Sequence, residues 1–384
     1  MKTAVVYWSG TGNTEAMAKA VAEGMTAAGA EKAARAGCAG VIVSTHGGRV
    51  IQSAPGTCEV IPEIRAAVGD SIKIIADGAL RTGTDIFKAL ALGADAVMIG
   101  RPFVVAAHGG GAEGVTLYAE SLGAQLKNVS AGGREYLWQG DPAIWNGRAP
   151  NLFPYVGRLT GDAYTLEGRT YHMPHHGFAK LTDFALGERR SDAVTLTMSD
   201  TEETRAMWPY AFSFSVTFAL AGASLAVTYR VENRDGRVMR FGLGAHPGFN
   251  VPLEAGKAFT DYRLTFAQPC RPNRVELSPA YMISGRETPF PLEEDRALPL
   301  SHDLFDHDAV ILKHAARSVT LSAGEGSRGV RLDFPGMGYL GVWHKPHTQA
   351  PYVCLEPWVS LPSRQDVVED LAQQSDLVWL EPGR

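Results

Sequence analysis

The sequence predicts a mainly β protein, a large antiparallel β-sandwich preceded by a parallel α/β extension. Two observations carry that expectation. Up to about residue 114, short apolar runs alternate with amphipathic helical segments; beyond it, apolar residues recur at every second position. Composition supplies the third. Of 384 residues, 45% are hydrophobic and 20% charged, with 36 basic against 41 acidic side chains and a net charge of −5, the balance of a globular chain. The boundary is expected near 112–117, giving domains 1–114 and 115–384.

In the first part Ala4–Tyr7, Val41–Val43, Ile72–Ala76 and Ala96–Ile99 read as strands. Glu15–Ala28 (running on through Glu31–Ala36), Thr57–Val68 and Thr84–Leu92 read as helices. Strand, crossover helix and strand at this spacing predict a parallel sheet buried on both faces. Of the chain's 42 glycines, 18 precede residue 115, and most sit at strand ends where the backbone can approach a ligand closely.

In the second part Phe212, Phe214, Val216, Phe218 and Leu220 alternate with small polar residues, and Leu225, Val227, Tyr229 and Val231 repeat the pattern. Asp235-Gly236 signals a turn into Val238–Leu243, and Glu167-Gly168 a hairpin between Tyr164–Leu166 and Thr170–Met173. Val194/Leu196/Met198, Val319/Leu321 and Val330/Leu332/Phe334 read as further strands. Long antiparallel strands with Pro-rich connections predict the sandwich.

Mild acidity without basic clusters argues against nucleic acid. No run approaches the roughly 18 apolar residues of a membrane span, and the N-terminus does not read as a signal peptide. The four cysteines, Cys38, Cys58, Cys270 and Cys354, form no CxxC pair and fit a reducing compartment, so a cytoplasmic small-molecule protein is expected. No HxH or HExxH appears, and no metal site is expected. The sequence indicates no oligomeric state.

Ser9-Gly10-Thr11-Gly12-Asn13-Thr14 follows a predicted strand and opens a predicted helix, where backbone N–H groups can surround a phosphate. The stretch from Met1 to about Glu31 resembles the first β-loop-α unit of a flavodoxin. That resemblance implies FMN phosphate at Ser9, Thr11, Asn13 and Thr14. Residues 39–49, 75–83 and 99–102 resemble the last third of an FMN-dependent α-hydroxy-acid oxidase. They imply His46 as a base, Arg49 at a substrate carboxylate, and Asp77, Gly78, Arg81, Gly100 and Arg101 around the flavin phosphate. Only about three βα units of that eight-stranded barrel are present. The segment therefore supports an alternative, an FMN-dependent oxidoreductase or FMN-binding protein, beside a purely structural remnant.

Four polar residues stand out in the second part: Arg158 after Leu152–Gly157, His176 in Pro174–Lys180, His246 in Gly244–Asn250, and Glu356 in Tyr352–Trp358. A carboxylate flanked by Cys354, Leu355, Pro357 and Trp358 is costly to bury, and burial raises its pKa toward useful base strength. From about Leu117 to Arg384 the chain resembles the aldose 1-epimerase (galactose mutarotase-like) family. Gly133–Pro142, Asn151–Leu159, His176–Lys180, Gly244–Pro252 and Pro351–Trp358 carry the resemblance in the expected order. It departs at Lys180, where Arg is expected, and in the GAHPGFN segment.

The resemblance implies Glu356 as general base, His246 as general acid on the opposite side of the sugar, and His176 and Arg158 as binders of sugar oxygens. Trp343, Trp358 and Phe178 offer flat faces to the ring. The implied reaction interconverts α- and β-anomers of a hexose by ring opening and needs no cofactor. A sugar-binding module without catalysis is the third reading.

Overall fold

The computed structural model describes residues 27–44, 57–77, 83–98, 105–108 and 115–384. The predicted strand Ala4–Tyr7, the Ser9–Thr14 loop, most of the helix over Glu15–Ala28, and His46, Arg49, Gly78, Arg81, Gly100 and Arg101 lie outside the described residues. The chain divides into two compact units, Met1–Phe103 and Val104–Arg384. The strand Val105–His108 pairs antiparallel with Val115–Ala119, which assigns it to the second unit. Among the described residues no helix is long and apolar enough to cross a membrane.

In the first unit Gly40–Ser44, Lys73–Asp77 and Ala96–Met98 form a parallel sheet in that order, connected through the helices Thr57–Val68 and Gly83–Ala91. A helix over Ala27–Arg35 precedes them. Val41, Val43, Ile74 and Ala76 pack with Ile61, Ile64 and Val68 in one core. The intervening Ile42 and Ile75 are only half-buried. Among the described residues, the core of this sheet takes the alternate strand positions Val41, Val43, Ile74 and Ala76 on one face.

The second unit follows the period-two pattern. Phe212–Ala221 buries Phe212, Phe214, Val216, Phe218 and Leu220, and pairs with Ala193–Ser199 and Ser224–Asn233. Glu167 and Gly168 both have positive φ, 52° and 76°, as a two-residue hairpin turn requires, and join Ala163–Leu166 to Arg169–His172. Asp235-Gly236 does not make a hairpin. Asp235 accepts hydrogen bonds from the Arg237 and Ala211 N–H groups, and the chain leaves to pair Met239–Phe241 with Val378–Leu380.

One antiparallel sheet carries the candidate site. Its strands run in the order Ile283–Pro289, Asn273–Leu277, Val310–Lys313, Tyr339–Trp343, Tyr352–Trp358, Gly244–Ala245 and Asn151–Leu152, with Gly248–Asn250 also on Tyr352–Trp358. Its back face presents Val310, Leu312, Leu340, Val342, Val353 and Leu355 to a core shared with Leu264, Phe266, Val319 and Leu321. Each fully buried aliphatic is worth about 1.5–3 kcal/mol. A slip of one residue would swap Val353 and Leu355 for Glu356 in that core, so their burial fixes the face the carboxylate takes.

A loop beside this sheet is held in a conformation few residues adopt. His176 has φ 65° and Gly177 φ 70°, and a Cβ on Gly177 would lie 2.2 Å from the Phe153 carbonyl oxygen. Gly177→Ala is expected to destabilise the protein by more than the roughly 1–3 kcal/mol of a strained φ alone, measured by urea denaturation against wild type.

Candidate active site

Glu356 sits on the strand Tyr352–Trp358, every residue of which is buried. On one side Gly341 lies opposite Glu356 and Trp343 opposite Cys354. On the other side the chain pairs twice, with Gly244 opposite Trp358 and Gly248 opposite Cys354. Both pairings keep a single register, so His246, midway between them, faces Glu356 across the ladder. The Leu355 N–H donates to the Pro247 carbonyl at 3.1 Å, as that register requires. His246 Nε2 and Glu356 Oε2 are 3.3 Å apart.

Two glycines make room for this row. A Cβ on Gly341 would lie 2.9 Å from the Trp358 ring and 3.2 Å from the Glu356 Cβ, and one on Gly244 would lie 2.6 Å from Trp358 Cδ1. Trp358 therefore spreads over both neighbouring strands. It is 4% exposed and packs with Leu152, Val275, Ile311 and Tyr339, forming a floor beside the carboxylate.

The pair is largely buried, with Glu356 1% and His246 8% exposed. Burial pushes the Glu356 carboxyl well above the usual carboxylate range, and the charge of Asp308 adds to the effect. The Trp358 N–H opposes it, although it falls outside strict hydrogen-bond geometry with the carboxylate. Burial pulls His246 down to about 3, and His175 and Lys180 add to that shift. Burial thus works against charge on both groups, favouring the neutral carboxyl and the neutral imidazole. Among the described residues neither Glu356 Oε2 nor His246 Nδ1 makes a hydrogen bond, so both are free to meet a bound group.

His176 is fixed through its ring. Nδ1 accepts the Gly157 N–H at 3.0 Å, which leaves the ring proton of the neutral form on Nε2. Its ring stands edge-on to His246 with centroids 5.6 Å apart. Burial, then His175, His246, Lys180 and Arg158, hold it well below the usual histidine pKa. Trp343 also meets His246 edge-on at 5.6 Å, and its indole N–H donates to Asp308 at 2.8 Å. Arg158 is exposed, with its guanidinium 5.8 Å from the Tyr281 ring centroid.

Glu356, His246, His176 and Trp343 are thus brought together. Two expectations change. Phe178 does not face the site: it is buried against Phe153, Trp208 and Phe212. The acid and base, expected on opposite sides of the sugar, are adjacent on one sheet face, because they occupy paired ladder positions.

Sequence reasoning did not single out Trp145, which stacks on His246 at 5.0 Å and on Tyr352 at 5.4 Å. It also passed over His175, 3.7 Å from the His176 ring and pulled down to about 3 by burial, Lys180 and Arg158. Asp308, the acceptor for Trp343, was likewise missed. No local pattern marks any of these; a polar residue just ahead of the apolar run Ala309–Leu312 is the only signal for Asp308.

In the first unit only Asp77 among the residues expected around FMN is described. Its carboxylate accepts the Ser44 hydroxyl at 2.7 Å. A carboxylate offers no donor to a phosphate, and the described residues do not assemble a cradle for one.

The family described as aldose 1-epimerase matches residues 110–367, and that described as FMN-dependent dehydrogenase matches residues 13–132. The chromosomal protein LacX of Lactococcus lactis subsp. lactis is 33% identical over 285 residues, 71% of this chain and 95% of its own length. A galactose mutarotase related enzyme from Lactobacillus acidophilus superposes with a TM-score of 0.68 at 31% identity, covering 73% of this chain and 94% of its own. A galactose mutarotase-like protein from Lactobacillus casei gives 0.68 at 32% identity, covering 73% and 96%. An L-lactate oxidase from Lactobacillus jensenii is 50% identical over 104 residues, 27% of this chain but only 24% of the oxidase.

Asp308→Asn keeps an acceptor for the Trp343 N–H while removing a charge near Glu356. The Glu356 carboxyl is then expected to titrate at lower pH than in wild type, followed by the carboxyl band in difference infrared spectra.

Proposed function

The chain belongs to the aldose 1-epimerase family, a family of isomerases, and on that premise we propose that it interconverts the α- and β-anomers of a hexose at the Glu356–His246 pair. The observation that carries this reading is the 3.3 Å contact between a buried carboxyl and a buried imidazole. The anomeric hydroxyl and the ring oxygen are bonded to the same carbon, so the groups that serve them must be neighbours.

Glu356 removes the proton from the anomeric hydroxyl while His246 protonates the ring oxygen. The C1–O5 bond breaks, leaving an aldehyde at C1 and a hydroxyl at C5. Rotation about C1–C2 presents the other face of the aldehyde, and the ring recloses with the roles exchanged. One proton leaves the sugar and one enters it, so the pair must carry a single proton in total. Transfer of that proton from Glu356 to His246 gives the carboxylate and imidazolium that open the ring. The neutral His176, proton on Nε2, donates to a sugar oxygen, Arg158 binds at the rim, and Trp343 supplies an apolar face. No cofactor enters these steps.

The decisive measurement is polarimetry on freshly dissolved glucose and galactose. Glu356→Gln and His246→Ala are each expected to lower kcat by about two or more orders of magnitude; unchanged decay in either variant would end the assignment. A protein that binds hexose without accelerating the decay would instead be a binding module. Because the pair works only with one proton, kcat is expected to be bell-shaped in pH. Asp308→Asn should move both limbs to lower pH, since it removes a negative charge that favours protonation.

A second reading, FMN bound by the first unit, has the dehydrogenase match in its favour. The chain spans about a quarter of the length of the oxidases it matches, and no step is derived through a flavin. Adding FMN to the purified protein is expected to leave mutarotation unchanged. Quenching of FMN fluorescence on titration would establish a separate flavin site.

A further inference from the structure

We propose that His246, Cys354 and Glu356 form a binding site for a thiophilic divalent cation, zinc in the first instance, which competes with the sugar. All three are buried, and one ligand atom from each lies within 4.8 Å of the others. The arrangement follows from the sheet. Cys354 precedes Glu356 by two residues and so shares its face, while His246 stands opposite Glu356 on the neighbouring strand.

The spacing suits a small tetrahedral ion. Two ligands each about 2.0–2.1 Å from zinc are separated by roughly 3.3 Å, and the imidazole–carboxyl contact already measures 3.3 Å. The thiol completes the set by moving inward from within 4.8 Å. A nitrogen, a sulfur and an oxygen select zinc or cobalt over magnesium and calcium, which take oxygen ligands. Three protein ligands leave a fourth position for water.

One further observation points to a ligand here: among the described residues, Glu356 Oε2 and His246 Nδ1 are buried without hydrogen bonds. A divalent ion held by a thiolate, a carboxylate and a neutral imidazole would have no net charge, which a dry site favours. On binding, the Cys354 thiol and the Glu356 carboxyl release their protons to buffer, and nothing is oxidised or reduced. The ion takes the two groups the sugar requires. Inhibition therefore rests on the proposed epimerase reading, whereas binding itself does not.

The test uses the full-length, metal-free protein titrated with Co²⁺. Wild type is expected to develop the near-ultraviolet thiolate-to-cobalt band and the intense visible bands of a tetrahedral site, both abolished by added Zn²⁺. Cys354→Ala should lose the thiolate band although Cys38, Cys58 and Cys270 remain as free thiols. Cys354→Ser provides the same readout should the alanine variant not fold. In polarimetry, zinc should inhibit wild type competitively and reversibly on chelation, while Cys354→Ala turns over as wild type does and resists the same zinc concentration. A wild type without the thiolate band, or a band that persists in both variants, overturns the site. A wild type that shows the band but no mutarotation sinks the epimerase reading and leaves the metal site standing.

Discussion

A carboxyl group held on the inward face of a fully buried strand is the constraint around which the second unit is arranged. Left alone there, an ionised Glu356 would be prohibitively costly. Burial answers that cost by pushing the carboxyl well above the usual carboxylate range, and the sheet sets His246 at the facing ladder position, 3.3 Å away. The same alternation that puts Glu356 beside His246 puts Val353 and Leu355 into the core on the other face. Stability and chemistry are two faces of one strand, and neither can shift register without the other.

What surrounds the pair holds it still. Trp145 stacks on the imidazole, His176 and Trp343 meet it edge-on, and Asp308 anchors the Trp343 indole. His176 is tied by both its backbone N–H and its ring to Gly157, and the positive φ values at 176 and 177 are retained by those bonds. A reaction that runs in both directions needs groups that exchange roles without moving, and rigid aromatic walls meet that need.

The first unit stands apart in its chemistry. Its three described parallel strands pack one face against helices, and the oxidases it resembles are about four times as long as the matched part. The aldose 1-epimerase and dehydrogenase matches overlap at residues 110–132, so the stretch around Val115–Ala119 is legible in terms of either family.

The sequence by itself determined the change from helical to period-two patterning, the hairpin at Glu167-Gly168 and the identity of Glu356 and His246 as unusual polar residues in apolar or turn-rich settings. These are local signals, set by side-chain spacing and turn geometry within a few residues. Only the tertiary structure decided that His246 and Glu356 are ladder partners, that Phe178 faces the core, that Trp145 and Asp308 belong to the site, and that the Cys354 thiol lies within 4.8 Å of both. Register between distant strands depends on which faces are buried together. That is a property of the packed sheet, and no window of the sequence contains it.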